Sequence, residues 1–178
     1  THKQFLEKLW NKNKHYRNGE FDVTGKYKRQ DIPVKVKSKY GLHFISPMSL
    51  LQSNVNCCIN NAKNKTEFYK KKVYEGNKNY RNGDYEISGE WVKKEKRIII
   101  KDNLGEYLVE KSLLYKDYTP TIKSCLNKEK YFINKARETR KDFDLINYSK
   151  FVYKTSQDNS IFLCKKHNYE YEQRVNHH

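Results

Sequence analysis

Tyr16-Arg17-Asn18-Gly19-Glu20-Phe21-Asp22-Val23-Thr24-Gly25-Lys26-Tyr27 returns as Tyr80-Arg81-Asn82-Gly83-Asp84-Tyr85-Glu86-Ile87-Ser88-Gly89-Glu90-Trp91, at a constant offset of 64 residues. Every difference between the two copies is conservative except Lys26 against Glu90. The offset continues where Val34 and Val36 meet Ile98 and Ile100 and Gly41 meets Gly105, and slips by one where Ser49-Leu50-Leu51 meets Ser112-Leu113-Leu114. A period of this size defines one small supersecondary unit used more than once.

Around this stretch the hydrophobic pattern gives the rest of the unit. Phe5, Leu6, Leu9 and Trp10 mark a short amphipathic helix over residues 3–14. Asn18-Gly19 is a turn signal, and a strand follows from Phe21 through Val23 towards Tyr27. A second strand over residues 32–39 sets Val34 and Val36 on one face and Lys35, Lys37 and Lys39 on the other. Gly41 turns the chain into a third strand, residues 42–46, and Pro47 opens a helix with Met48, Leu50 and Leu51 towards the sheet. The second unit repeats the order: a helix over 66–78 with Phe68, Tyr69 and Val73, strands near 84–93, 97–101 and 106–109, and a helix over 110–115. Asp117-Tyr118-Thr119-Pro120 is an insertion. A fainter third unit has a basic helix over 129–141, strands around Ile161-Phe162-Leu163-Cys164 and Tyr169-Glu170-Tyr171-Glu172, and no closing helix before His178, so it reads as incomplete. The expectation is an α+β chain of three tandem modules, 1–62, 63–127 and 128–178, each a three-stranded antiparallel sheet packed with short helices.

The chain of 178 residues carries 37 Lys+Arg against 21 Asp+Glu, a net charge of +16. Uncompensated charge of this size favours a polyanionic partner, nucleic acid first. An AT-rich genome would enrich Lys, Asn, Ile and Tyr without any such partner. At 36% hydrophobic and 14% aromatic residues, several small cores built on Tyr, Phe and Trp suit the composition better than one large core. No run approaches the roughly 20 apolar residues that span a bilayer, and Thr1-His2-Lys3-Gln4 does not begin an apolar leader. The expected location is intracellular, in the host cytoplasm if the gene is a phage's. Cys57, Cys58, Cys125 and Cys164 form no disulfide framework.

The motif order, an aromatic-led helix, Phe-Asp-Val-x-Gly-x-Tyr, Ile-x-Val-x-Cys, a Gly turn and a Pro-led helix, resembles the treble-clef-like zinc repeats that accompany phage and mobile-element endonucleases. The third unit resembles them most, through Tyr148-Ser149, Tyr153, Leu163-Cys164-Lys165-Lys166-His167, Glu172-Gln173 and His177. Lys39-Tyr40-Gly41-Leu42-His43-Phe44 and Pro47-Met48-Ser49-Leu50-Leu51 match in shape, with Tyr40 where a metal-binding Cys would stand, and Asp102-Asn103-Leu104-Gly105 carries no ligand. The resemblance implies DNA binding in the service of a nuclease or another mobile-element protein. It also implies a structural zinc, for which Cys164 and His167 are the candidate pair. A tetrahedral site needs four N or S donors, usually as two close pairs; no second pair follows Cys164 and His167, and Cys57-Cys58 has no first pair to meet. The expectation is a repeat that kept its fold without the metal.

The candidate nucleic-acid-binding residues are Arg17, Lys26, Lys28, Arg29, Lys35, Lys37 and Lys39 in the first unit, Arg81, Lys93, Lys94, Lys96, Arg97 and Lys101 in the second, and Lys135, Arg137, Arg140 and Lys141 in the third. Lysines on a sheet face neutralise phosphates, or else protect a strand edge from aggregation. Arg17 and Arg81 stand at equivalent places where a guanidinium would grip guanine or phosphate, or pair with Glu20 and Asp84. The helix with Lys135, Arg137, Arg140 and Lys141 reads as a phosphate rail or as an exposed face. The 15 tyrosines would stack on unpaired bases if exposed; Tyr27, Tyr85 and Tyr107 recur at sheet positions and read as core.

Catalysis is not expected. His167-Asn168 and Asn176-His177-His178 are too closely spaced for an HNH site, the GIY, YIG and LAGLIDADG signatures are missing, and Glu20 with Asp22 or Asp84 with Glu86 are commonplace strand carboxylates. The reading is a DNA-binding tandem array. RNA, or a host nucleoprotein complex blocked by an anti-CRISPR-like inhibitor, is the alternative. A basic face recurring in all units favours the array, and unequal faces favour the inhibitor.

Overall fold

The computed structural model describes residues 1–52 and 55–178. It is an α+β fold with three separate three-stranded antiparallel sheets, each in simple sequential order. The chain packs as two compact units, Thr1–Gly76 and Asn77–His178. Among the described residues no helix is long and apolar enough to cross a membrane.

In the first unit, α1 (His2–Lys12) starts at a capping box in which Thr1 and Gln4 exchange hydrogen bonds. Its Phe5 and Leu9 are buried, while Trp10 is exposed. The short α2 (Lys14–Arg17) leads through Gly19, at φ 71°, into β1 (Phe21–Val23). β2 (Val34–Ser38) pairs with β1 and with β3 (Gly41–Ile45), and α3 (Pro47–Leu51) begins on a Ser46 cap with Pro47 in its first turn. Phe21, Val34, Val36, Ile45 and Leu50 close on Phe5 and Leu9 to form the core. α4 (Lys65–Gly76) completes the unit, with Phe68 set against Tyr40 and edge-on to His43.

The second unit opens with α5 (Lys78–Arg81), β4 (Glu86–Ile87), β5 (Arg97–Lys101) and β6 (Glu106–Glu110). It continues through α6 (Lys128–Thr139), β7 (Ile146–Asn147), β8 (Asn159–Cys164) and β9 (Tyr169–Arg174). The last sheet holds its own aromatic core of Phe151 and Phe162 with Phe132, Tyr148 and Tyr171.

The first strand of each of the first two sheets is shorter than its alternation suggests, for one local reason. Thr24 and Gly25 both donate backbone N–H groups to the Lys35 carbonyl, and Ser88 and Gly89 do the same to Ile99. A Cβ on Gly25 would lie 2.9 Å from Lys35 Cβ, and one on Gly89 would lie 2.9 Å from the Ile99 nitrogen. The repeated glycine is therefore a point of close backbone approach that ends regular pairing. The closing segment of the second module is a 3₁₀ turn, Leu113–Tyr115, because Glu110 is still in β6. Met48 points to solvent at 58% exposure, so only Leu50 and Leu51 of the expected trio face the sheet.

One repeated residue escaped the sequence reading. Asn13 is fully buried; its Oδ1 caps α2 by accepting from the Tyr16 N–H, and its Nδ2 donates to the Leu50 carbonyl at 2.8 Å and to Val55 at 3.1 Å. Asn77, at the same offset of 64, caps α5 through Tyr80 and donates to the carbonyls of Leu114 and Lys116. Each asparagine satisfies one carbonyl at a helix end, Leu50 or Leu114, and a second in the segment that follows it. At the end of α6 the role passes to Arg140, whose guanidinium grips Asp142 and donates to the His178 carbonyl.

Candidate nucleic-acid interface

The exposed faces of the three sheets follow from strand register, since residues directly opposite on antiparallel strands share a face. In the first sheet Lys35 lies across from Phe44, and Lys37 lies across from Leu42 and Asp22. In the second, Arg97 lies across from Glu110 and Lys101 across from both Glu106 and Glu86. In the third, Ile161 lies across from Glu172 and Leu163 across from Glu170, with Arg174 opposite Asn159. The first face is thus basic with an exposed aromatic, whereas carboxylates outnumber cations on the second and the third. Of the two lysines on the first face, Lys37 recurs as Lys101, whereas Lys35 is replaced by Ile99.

Lys39 does not lie on that face. β2 ends at Ser38, and Lys39 sits in the following turn, 2.8 Å from Glu75. This contact raises the Lys39 pKa and lowers that of Glu75. Lys26, Lys28 and Arg29 lie in the segment joining β1 and β2, where Arg29 is paired with Asp31 and holds that carboxyl below the usual range. Lys93, Lys94 and Lys96 are exposed in the segment before β5.

Arg17 and Arg81 are both exposed on their short helices. The alternative pairing of Arg17 with Glu20 is not formed: Glu20 is held by His15 at 2.8 Å and by Asn56 at 2.7 Å, and its pKa is lowered chiefly by the His15 contact. The basic helix α6 also ends earlier than its expected span of 129–141. The helix stops at Thr139, leaving Lys141 beyond it; Arg140 is engaged by Asp142 and the His178 carbonyl, and the Arg137 guanidinium lies 5.2 Å from the Phe143 ring centroid. Lys135 and Arg137 remain exposed on the helix.

Tyr85 and Tyr107 are buried and Tyr27 stacks on Phe5 at 4.7 Å, so these three tyrosines build the cores. In the hairpins, buried His43 bonds Ser38 at 2.9 Å and Asn61 at 3.1 Å, and burial lowers its pKa. The corresponding Tyr107 hydroxyl donates to Asp102 at 2.9 Å. The position is filled by a satisfied polar group in both cases.

Cys164 Sγ lies 3.4 Å from His167 Nδ1. Among the described residues no group of three or more His, Cys, Asp or Glu side chains is placed to hold a metal ion. Two donors do not make the tetrahedral set that structural zinc requires, so the residues present do not fit that metal. Cys57 is buried, which pushes its thiol pKa up to about 11.

Fold and surface together define a tandem α+β protein with one basic sheet face and two unlike ones. No family model, curated protein or solved structure matches the chain.

Sequence reasoning missed Phe44. It is 47% exposed on the basic face. The signal was the parity of β3, which sets Phe44 with Leu42 opposite to buried His43 and Ile45.

Proposed function

We propose that the protein binds nucleic acid through phosphate contacts, with Thr1–Gly76 supplying most of the attraction. The supporting observation is the uneven distribution of charge. Thr1–Gly76 holds 16 Lys and Arg against 6 Asp and Glu, whereas Asn77–His178 holds 21 against 15. Lys35 and Lys37 face solvent, with Asp22 as the one acidic residue in register with them, while Arg97 and Lys101 face Glu110, Glu106 and Glu86. Duplex DNA is the partner the sequence places first, and no catalytic step is assigned.

The test is a titration of fluorescent duplex DNA, single-stranded DNA and structured RNA at several salt concentrations. Lys35→Ala with Lys37→Ala should weaken binding on every sequence and reduce the salt slope by about 0.9 for each phosphate that is no longer neutralised. Arg97→Ala with Lys101→Ala should have a smaller effect. Unchanged affinity and slope in the first variant would remove the proposal.

The inequality of the three faces supports a second reading, an inhibitor that occupies the nucleic-acid channel of a host nucleoprotein complex. It predicts tight binding to such a complex and weak, unselective binding to free DNA.

A further inference from the structure

We infer that the outer face of the first sheet is a stacking platform for an unpaired base of single-stranded nucleic acid, with Phe44 as the platform and Lys35 and Lys37 holding the adjoining phosphates. The inference rests on the proposed binding of nucleic acid and narrows it to a strand with accessible bases.

Three observations carry it. Phe44 is about half exposed although the fold does not need an aromatic there, since the matching place is held by Leu108 in the second sheet and by Glu172 in the third. A single exposed apolar residue is ordinary; an aromatic directly across from a cation occurs on only this one of the three outer faces. The neighbouring surface is also open. Gly25 lies beside Lys35 with no side chain, so Lys35 is bordered by Phe44 on one strand and by bare backbone on the other side. A flat ring bordered by cations is the arrangement that binds single strands with little sequence preference, because every base has a π face and every nucleotide a phosphate. A duplex presents its bases already stacked, so it would use Lys35 and Lys37 and leave Phe44 idle.

The experiment compares a fluorescein-labelled oligothymidylate of about 15 nucleotides with a duplex of the same length, using the full chain. Phe44→Leu, which keeps an apolar side chain on an exposed site, should weaken oligothymidylate binding about tenfold, the order expected for one stacked base, and change duplex binding less than about twofold. Phe44→Trp should retain binding and lose indole emission on adding oligothymidylate, beyond any change in the parent protein, whereas Leu108→Trp should not. Salt-sensitive binding to both probes with no effect of Phe44→Leu, and no added quenching in Phe44→Trp, would overturn the stacking platform and leave the phosphate reading in place. Failure of the parent protein to bind either probe would overturn both and favour a protein partner for this face.

Discussion

At one buried position the two copies of the repeat differ by a single heavy atom, which allows a stringent test. Phe21 and Tyr85 occupy the same place, are 1% and 3% exposed, and meet their neighbours Tyr16 and Tyr80 at the same ring separation of 5.7 Å. The Tyr85 hydroxyl is buried without a hydrogen-bond partner among the described residues. Burial pushes its pKa far above the usual tyrosine value, and the nearby Asn77 side chain offsets only part of that rise. Leaving a hydroxyl unsatisfied in the interior costs about 1–3 kcal/mol, and Phe21 shows that the ring packs in this site without it. Tyr85→Phe should therefore stabilise the protein by about 1–2 kcal/mol. That corresponds to a rise in Tm of roughly 2–8 °C, at about 2–4 °C per kcal/mol for a chain of this size. Phe21→Tyr should destabilise by a similar amount. Urea unfolding followed by circular dichroism, with the slope m held constant, measures both. If Tyr85→Phe lowered stability by about 1 kcal/mol or more, on the scale of one hydrogen bond, the hydroxyl would have a native partner and the argument would fail.

Further outcomes follow from the buried polar groups. Asn77→Ala strips partners from the Leu114 and Lys116 carbonyls and the Tyr80 N–H, and should cost about 2–3 kcal/mol by the same urea assay. Asn13→Asp keeps the cap acceptor but loses the donor to Leu50 and Val55, so it should recover only part of the cost of Asn13→Ala. His178, stacked on Phe162, has its pKa lowered to about 4 by burial and then by the Arg140 charge, and His43 shifts in the same direction. Between about 4 and the ordinary 6.5 the unfolded chain binds protons that the native state refuses. The His178 contribution to stability should be flat above neutrality and fall as pH drops from about 6.5 towards 4, with a slope of at most about 1.4 kcal/mol per pH unit, and His43 adds to the loss in the same direction. An NMR titration placing the His178 midpoint near 6.5 would contradict this.

The repeat was legible because its punctuation is local. Asn18-Gly19 and Asn82-Gly83 need a positive φ at glycine, and the alternation of Val34 and Val36 or of Ile98 and Ile100 marks a buried face without knowledge of the partner strand. The asparagine clips were illegible because their meaning lies 37 residues away, at Leu50 and Leu114. The candidate surface was only partly legible for the same reason. Lys35, Lys37 and Lys101 were visible as alternating cations, but whether a face is basic depends on the opposing strand, and Glu106 and Glu110 neutralise what Arg97 and Lys101 supply. The ion pair of Lys39 with Glu75 and the bond from Arg140 to the His178 carbonyl were hidden for the same reason, because both partners are far along the chain.

The asparagine clip also governs how such a chain can change. Asn13 reaches Leu50 and Asn77 reaches Leu114 across the same length of backbone, so each module is latched from within by contacts that leave its outer surface untouched. Substitutions on that surface should leave the latch intact. A duplicated gene segment built this way can diversify what it touches while keeping how it folds, as the sequence from Lys35 to Ile99 and from Phe44 to Leu108 already records. Exchanging residues 13–50 for 77–114 should yield a folded chimera that carries the second face in place of the first.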